Sequence, residues 1–292
     1  MIHYLKNKEI DYTKWDACIT SAHNRLIYGF SWYLDIVCDD WDALVLGDYE
    51  AVFPLPKRKK WGVSYIYQPF FCQQLGVFSN KKNLDVDVFL EAIPKYFKYV
   101  ELNICAESKF KVKSNVNHLL SLKKGIAFIQ EKYSSSHKKG IRKAQKKGIK
   151  ITTEPVKEFM QIKRVLAANH MGADSLNLLC ELMSKTIRRG SGEIFSAILD
   201  GKVIASIFLL LDVDRIILLS SYSTEEGRKK KAYFLLLDHV FGQYQNSSFI
   251  FDFEGSNLKG VAEVNEGFGA TKTIYSTIKI NRLPFFLRWL KS

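Results

Sequence analysis

The sequence predicts a mixed α+β (α/β) fold built from two halves of similar architecture. In each half, helical patterns are followed by antiparallel strands, a further helix and a last strand. The 292 residues, with 47% hydrophobic content, supply enough apolar side chains for two modest domains or one large one. No low-complexity linker separates the halves and no residue-level repeat relates them. We therefore expect the two halves to resemble each other in architecture only.

The first half opens with a helix that Asp11 caps and whose apolar face contains Trp15, Cys18 and Ile19. A hairpin is predicted further on, because two apolar runs flank the turn dipeptide Gly47-Asp48. The other elements of this half are predicted as a short helix at 32–38, strands at 63–67, 99–104 and 117–122, and a helix at 86–97 that Pro94 bends or shortens.

The second half contains a meander of three antiparallel strands. Its clearest hairpin signal is the dipeptide Asp200-Gly201, which is typical of a two-residue turn. The predicted elements of this half are helices at 156–168 and 174–189, strands at 193–199, 203–211 and 215–222, a helix at 229–244 and a strand at 249–253.

The net charge of +13 favours anionic partners such as nucleic acid, phosphorylated small molecules or an acidic membrane surface. The five cysteines lie far apart and the histidines are scattered, so we expect reduced thiols and no structural metal. The first ten residues lack an apolar core, and no apolar run reaches the roughly 18 residues needed to span a bilayer. These features predict a cytoplasmic protein.

A basic stretch lies between Glu131 and Glu154, where no acidic residue occurs. Helical spacing places five of its cations on one face: Lys139, Arg142, Lys143, Lys146 and Lys147. Like charges at this spacing repel one another, by a few tenths of a kcal/mol for each pair. An anion bound to this face would offset that repulsion, whereas a solvated helix face is the alternative.

Carboxylates follow the apolar strand predicted at 249–253. Asp252 lies within the strand and Glu254 just beyond it, and Gly255 and Ser256 then break the strand. Ser256 is a candidate cap for a short helix that begins at Asn257. Carboxylates at the exit of a core strand are more typical of a functional site than of packing.

In these motifs the chain resembles the Fem-type aminoacyltransferases and their relatives with a BioF-like acetyltransferase domain, within the GNAT superfamily. The matching segments are Tyr133-Ser134-Ser135, Ile141-Arg142-Lys143-Ala144, Lys147-Gly148-Ile149, Phe251-Asp252-Phe253-Glu254-Gly255-Ser256, Gly260-Val261-Ala262, Gly267-Phe268-Gly269-Ala270, Gln68-Pro69 and Gln73-Gln74-Leu75-Gly76. They occur in this order across most of the chain.

The resemblance implies two tandem GNAT-like domains, each a mostly antiparallel twisted sheet flanked by helices. We expect the first domain at 1–130, with 275–292 returning to it, and the second at 131–274. The implied reaction is transfer of an acyl or aminoacyl group to an amine acceptor, with substrates near the domain junction. The implied donor is aminoacyl-tRNA or acyl-CoA, with no tightly bound cofactor, and the acceptor is an envelope-precursor amine or another small molecule.

Two features depart from the pattern of the aminoacyl-tRNA users. Val264-Asn265 stands where those proteins tend to carry Phe-Lys, and Lys139-Gly140 replaces an Arg-Asn pair in the basic helix. Near Gly227, where a GNAT protein would bind pyrophosphate with a glycine-rich turn, there is one glycine and four cations. A charged surface turn is the alternative interpretation there.

Acyl transfer to an amine needs a base, a place for developing oxyanion charge and alignment of the substrates. The candidate catalytic residues are Asp252, Glu254 and Tyr222. The alternative is that Asp252 orients the local backbone, Glu254 caps the following helix and Tyr222 is an interfacial aromatic residue. If both carboxylates lie on one strand, they share a face and shift each other's pKa. The candidate substrate contacts are Gln68, Gln73, Gln74, Ser256, Phe268 and Lys272, and the candidate phosphate-binding residues are Lys139, Arg142, Lys143, Arg228 and Lys229.

Two other classes of function remain open at this stage. The basic helix also suits a non-catalytic RNA- or anion-binding protein, although no RNA-binding signature is present. The basic, aromatic tail at 282–292 suits either weak contact with a membrane surface or packing on the first domain.

Overall fold

The computed structural model describes residues 1–255 and 257–285, and the chain forms two compact units. Unit 1 contains Met1–Asn115 and the chain from Ile274 onward, and unit 2 contains Val116–Thr273. Two long strands, β7 (Lys111–Ser121) and β13 (Thr271–Asn281), contribute residues to both units.

Unit 1 begins with a helix that forms for the reason the sequence predicts. The Asp11 side chain accepts hydrogen bonds from the backbone N–H groups of Thr13 and Lys14. The elements are β1 (Ile2–Leu5), α1 (Tyr12–Ser21), α2 (Ser31–Val37), β2 (Trp41–Leu46), β3 (Ala51–Lys60), β4 (Val63–Ile66), β5 (Phe78–Ser79), α3 (Val86–Ala92) and β6 (Phe97–Ile104). Helix α3 ends before Pro94, and Phe97 begins a strand instead of continuing the helix.

The sheet of unit 1 has the order β1-β2-β3-β4-β6-β13, and β5 pairs with β3. The predicted hairpin is confirmed, since β2 and β3 pair antiparallel from Leu46–Ala51 to Trp41–Pro56. Strands β4 and β6 are parallel, and Ile66 pairs with Val100. The unit 1 core includes Trp15, Trp41 and Phe53, all of which are fully buried.

Unit 2 contains seven helices, α4 to α10, within its described residues, with the predicted meander at its centre. The elements are α4 (Ile126–Glu131), α5 (Ser135–Lys146), β8 (Lys150–Thr153), α6 (Val156–Ala167), α7 (Ala173–Arg188), β9 (Gly192–Leu199), β10 (Lys202–Leu211), β11 (Arg215–Ser223), α8 (Glu225–Lys230), α9 (Ala232–Gln243), β12 (Ile250–Asp252) and α10 (Lys259–Gly267). The helix predicted at 229–244 is in fact two helices, since Lys231 adopts a left-handed conformation between them.

The sheet of unit 2 has the order β7-β12-β11-β10-β9-β8. Strands β11 and β12 are parallel, and the other pairs described in this sheet are antiparallel. Asp200 and Gly201 both have positive φ, which is the backbone geometry of the predicted two-residue turn. One face of the sheet packs on α5 and α9 through a core that includes Ile207, Phe241 and Phe251. This arrangement fixes the parallel pair β11–β12 at the middle of the sheet.

Candidate functional site

A gap opens between β11 and β12 in unit 2. The two strands pair over three residues only, from Arg215–Ile250 to Ile217–Asp252. Strand β11 then continues to Ser223 along β10, while the chain after Asp252 turns toward β7, where Phe253 N–H donates to the His118 carbonyl at 3.1 Å. Ligands of open α/β sheets bind outside the carboxyl ends of parallel strands at such a divergence.

A β-bulge in β11 lies beside this gap. Leu218 pairs with Leu209 and Ser220 pairs with Phe208, so Leu219 is an extra residue on β11. Bulges bend a strand and increase its twist. Two backbone carbonyls beyond the bulge accept hydrogen bonds from side chains: Ser221 O from Lys163 Nζ at 2.8 Å, and Ser223 O from the guanidinium of Arg228 at 2.7 Å. Beyond the bulge, these two carbonyls of β11 are therefore bonded to side chains and not to a neighbouring strand, as at the edge of a sheet.

Tyr222 lies at the same end of β11 and is 6% exposed. It stands opposite Ser206 on β10, which in turn stands opposite Ser196 on β9, so three side chains with hydroxyl groups form a row across the sheet. The phenol hydroxyl lies 3.4 Å from Glu154 Oε1. Burial, and next the neighbouring charge of Glu154, raise the pKa of Tyr222 well above its usual value. The phenol is thus a neutral hydroxyl at physiological pH.

Asp252 is buried, and its side chain is hydrogen-bonded within the protein. Its side chain is 3% exposed and forms an ion pair of 2.7 Å with Arg215. Its other oxygen accepts from the Asn117 amide at 2.8 Å and from Glu254 N–H at 2.9 Å. A buried carboxylate held by three donors orients the groups around it.

The expectation that Asp252 and Glu254 share a strand face is wrong. Strand β12 ends at Asp252, and Glu254 has φ of +47°, in the left-handed region. The turn is held from a distant part of the chain, because Asn117 Oδ1 accepts from Gly255 N–H at 3.1 Å. Sequence reasoning missed Asn117 and Arg215, since no local pattern connects either residue with Asp252.

A second buried group close to this turn is His118, which is fully buried. Its Nε2 lies 3.2 Å from Glu266 Oε1, and the Glu266 side chain is largely exposed. His118 N–H donates to Asn117 Oδ1, so the histidine belongs to the same cluster as Asp252. No local sequence pattern indicates that His118 belongs to this cluster.

Phe268 lies in the hydrophobic core, which corrects its prediction as a substrate contact. It is fully buried and makes edge contacts with Tyr133, Phe234 and Phe241. His137 contacts the same ring, and its Nε2 donates to the Val264 carbonyl at 3.0 Å. This aromatic cluster fixes α5 against α10.

The basic face predicted on α5 exists and is exposed to solvent. Within the described chain, Lys139, Arg142, Lys143, Lys146 and Lys147 make no ion pair or side-chain hydrogen bond. Arg142 also lines a concavity of about 370 Å³ together with Tyr133 and Lys138. The face is therefore free to bind an anion.

The cations near Gly227 are engaged locally. Besides the contact of Arg228 with Ser223, Lys229 forms an i,i+4 ion pair of 2.6 Å with Glu225. A methyl group at Gly227 would lie 2.1 Å from the Ile204 carbonyl, so the glycine permits close packing of α8 on β10. The helix is too short, and its first turn too acidic, to resemble a phosphate-binding turn.

The predicted glutamines lie in unit 1, at the carboxyl ends of the parallel strands β4 and β6. Gln68 Oε1 accepts from Asn103 N–H at 2.9 Å, and Leu75 N–H donates to the Asn103 carbonyl at 2.8 Å. Residues 67–76 thus fill the divergence between these two strands. Gln73 and Gln74 are mostly buried, and Gln74 Nε2 donates to Gln73 Oε1 at 2.5 Å.

The remaining predicted residues are placed as follows. Lys272 is exposed on β13. Ser256 and most of the tail at 282–292 lie outside the described residues. Over the described ranges, no group of three or more metal-ligating side chains could hold an ion, and no helix is long and apolar enough to cross a membrane.

Comparisons with known proteins agree with this geometry. Residues 132–259 match the family model of an acetyltransferase (GNAT) domain. Among solved structures, FemX has 10% identity and a TM-score of 0.73, covering 99% of this chain and 100% of that one. L-PGS from Bacillus licheniformis has 10% identity and a TM-score of 0.59, covering 96% and 95%. No match was found among curated proteins.

A tandem GNAT protein from the clavulanic acid biosynthesis pathway is also similar, with 10% identity and a TM-score of 0.59, covering 97% of this chain and 99% of that one. The predicted mixed α/β fold with tandem GNAT-like domains is confirmed. The match over residues 132–259 supports a GNAT acetyltransferase domain in this part of the chain, and the similarity to the solved structures, at 10% identity, concerns the fold.

Proposed function

We propose that this protein is an N-acyltransferase that transfers an acyl or aminoacyl group to an amine, with the reaction in the gap between β11 and β12. The observation that carries the proposal is the early end of the parallel pairing at Ile217 and Asp252. The corresponding divergence in unit 1 is filled by residues 67–76, which favours unit 2 as the donor site.

The edge of β11 suits a donor with an extended, amide-containing arm. Such an arm adds to a strand edge through backbone hydrogen bonds, as peptides do when they extend a sheet. Backbone N–H groups at the bulge near Leu219 would stabilise the oxyanion that forms at the acyl carbon. An acyl-CoA donor and the aminoacyl end of a tRNA both carry the carbonyl that this chemistry requires.

Tyr222 is our candidate proton donor to the leaving group. Its raised pKa keeps the phenol protonated, and it lies at the carboxyl end of β11. Asp252 is a positioning residue in this proposal, since it holds the turn at Glu254 through the contacts of Arg215 and Asn117. Glu254 remains a candidate for contact with the reacting groups.

The basic face of α5 is the proposed contact for donor phosphates, through Lys139, Arg142 and Lys143. Phosphates bind cationic side chains without base specificity, so this face suits either donor. The exposed face also supports the alternative of an RNA- or anion-binding protein. We further propose a cytoplasmic enzyme with an envelope-precursor or other small amine acceptor, in keeping with its Fem-type resemblance.

The proposal is tested by incubating the protein with acetyl-CoA or with aminoacyl-tRNA and a panel of primary amines, and detecting the amide by mass spectrometry. We expect amide formation with one donor class. Tyr222→Phe should lower kcat by about a hundredfold or more. Tyr244→Phe is the matched control, because Tyr244 is also a tyrosine bonded to a glutamate in unit 2, at 2.6 Å from Glu193. No product with either donor from the folded protein would reject the proposal.

A further inference from the structure

Glu154 has an unusual environment that the proposed mechanism does not yet use. It lies directly before Pro155, the N-cap residue of α6, and Glu154 is partly buried. Its Oε1 faces the Tyr222 hydroxyl at 3.4 Å. Its Oε2 is buried and has no hydrogen-bond partner among the described residues.

A buried carboxylate oxygen without a donor is unfavourable, because ionised groups removed from water need a counter-charge and hydrogen bonds. The nearest candidate on α6 does not supply them. Lys163 donates its Nζ to the Ser221 carbonyl at 2.8 Å, and no ion pair joins it to Glu154 within the described chain. Glu154 therefore presents a negative group that a ligand can satisfy.

The position of Glu154 Oε2 indicates which class of ligand binds there. Tyr222 lies near the end of β11 that borders the gap, and its hydroxyl faces Glu154 at 3.4 Å, so the phenol and the carboxylate form one polar pair. A primary ammonium group carries a positive charge and three N–H donors, and it can bond both to the carboxylate and to the phenol oxygen. A quaternary ammonium group has the same charge but no N–H donor.

We propose that Glu154, with Tyr222, forms the binding site for the cationic primary amine of the acceptor. This inference rests on the proposed function. Glu154 takes one proton from the ammonium group, and the amine nitrogen then attacks the acyl carbon of the thioester or ester donor. The C–N bond forms and the bond from carbon to the leaving sulfur or oxygen breaks. Tyr222 gives its phenol proton to the leaving group and takes the second amine proton in return, and the proton on Glu154 returns to solvent.

The first experiment measures binding alone. Methylammonium chloride is titrated into the protein while the backbone amide resonances are followed by NMR, with tetramethylammonium chloride as the matched probe. We expect saturable shifts near residues 154–156 and 222–223 with methylammonium, and affinity about tenfold weaker in Glu154→Gln. Glu158→Gln is the control, because Glu158 is an exposed glutamate on α6 and loses the same charge.

The outcome that overturns the site is an identical methylammonium titration in Glu154→Gln, or equal binding of tetramethylammonium. Because this experiment needs no acyl donor, it tests the amine site even if the protein transfers no acyl group. Where transfer is detected, Glu154→Gln should lower kcat/KM for the amine by about a hundredfold while the donor's KM is unchanged. Parental kcat/KM in Glu154→Gln would also reject the proposal.

Discussion

Asp252 accepts hydrogen bonds from an amide, a guanidinium and a backbone N–H group. The donors are Asn117, Arg215 and Glu254, and the first of them lies 135 positions away in the sequence. Removing one partner of a buried ion pair leaves the other without compensation, which is costly. At the residue scale, the carboxylate contributes to stability and to the shape of the turn that borders the gap.

Replacing Asp252 by Ala should therefore lower the free energy of unfolding by about 3 kcal/mol, because Arg215 and Asn117 lose their shared partner. Urea denaturation measures this change. The control is Glu181→Ala, which removes an exposed i,i+4 pair with Lys185 and should cost less than about 1 kcal/mol. Equal effects of the two substitutions would contradict the role assigned to Asp252.

His137 provides a prediction about pH. Burial lowers the pKa of this histidine in the folded protein, so the unfolded chain binds the proton more readily. The free energy of unfolding should consequently fall as the pH drops below about 6.5, the ordinary histidine pKa, toward the folded value. The measurement is the pH dependence of urea unfolding in the parent and in His137→Phe.

In His137→Phe, the free energy of unfolding should change less with pH in this range, because phenylalanine does not titrate. His170→Gln should keep the parental slope, since His170 is exposed. A parental slope in His137→Phe would show that other groups cause the pH dependence.

At the scale of secondary-structure elements, α8 and α9 each contain a glycine, and the two glycines have different surroundings. Each contains a glycine away from positive φ: Gly227 in α8 and Gly242 in α9. A methyl group at Gly227 would meet the Ile204 carbonyl at 2.1 Å, whereas nothing lies within 4 Å of a methyl group at Gly242. Alanine at Gly227 therefore tests close packing on the sheet, and alanine at Gly242 tests helix propensity alone.

Gly227→Ala should destabilise the protein by about 2 kcal/mol, because α8 must move away from β10. Gly242→Ala should stabilise it by about 0.5–1 kcal/mol, since alanine favours the helix and finds open space. Thermal or urea unfolding measures both. Changes of the same sign would show that α8 does not pack on β10 as described.

Local elements were predictable from the sequence where their causes are local. The Asp11 cap and the Asp200-Gly201 turn depend on neighbouring residues, and both are present. The break between α8 and α9 was missed because Lys231 is neither glycine nor proline. The contacts of Asp252 with Asn117 and of Tyr222 with Glu154 join elements far apart in the chain, and no periodicity predicts such pairs.

At the scale of the whole molecule, the charge of +13 is concentrated partly on the exposed face of α5. Lysines that contact phosphates release counterions, so binding weakens as salt rises. This face and the gap in unit 2 are separate features, and ligand binding at each of them is measured by a different experiment.

Binding of tRNA or a similar polyanion should depend on salt, and Lys143→Gln should reduce the slope of log K against log salt by about 0.7–0.9. Fluorescence anisotropy over a range of salt concentrations measures it. Lys185→Gln is the control, because Lys185 is an exposed lysine on α7 already paired with Glu181. Equal slopes in the parent and Lys143→Gln would exclude α5 from phosphate contact.

In the proposed reaction, the acyl donor binds along β11 where this strand separates from β12. Hydrogen–deuterium exchange measured by mass spectrometry, with and without the donor that supports transfer, tests this binding mode. We predict slower exchange of the backbone amides at 218–223 and 253–255 on donor binding, with residues 67–76 unchanged. Protection of 67–76 alone, or of none of these segments at saturating donor, would contradict the account.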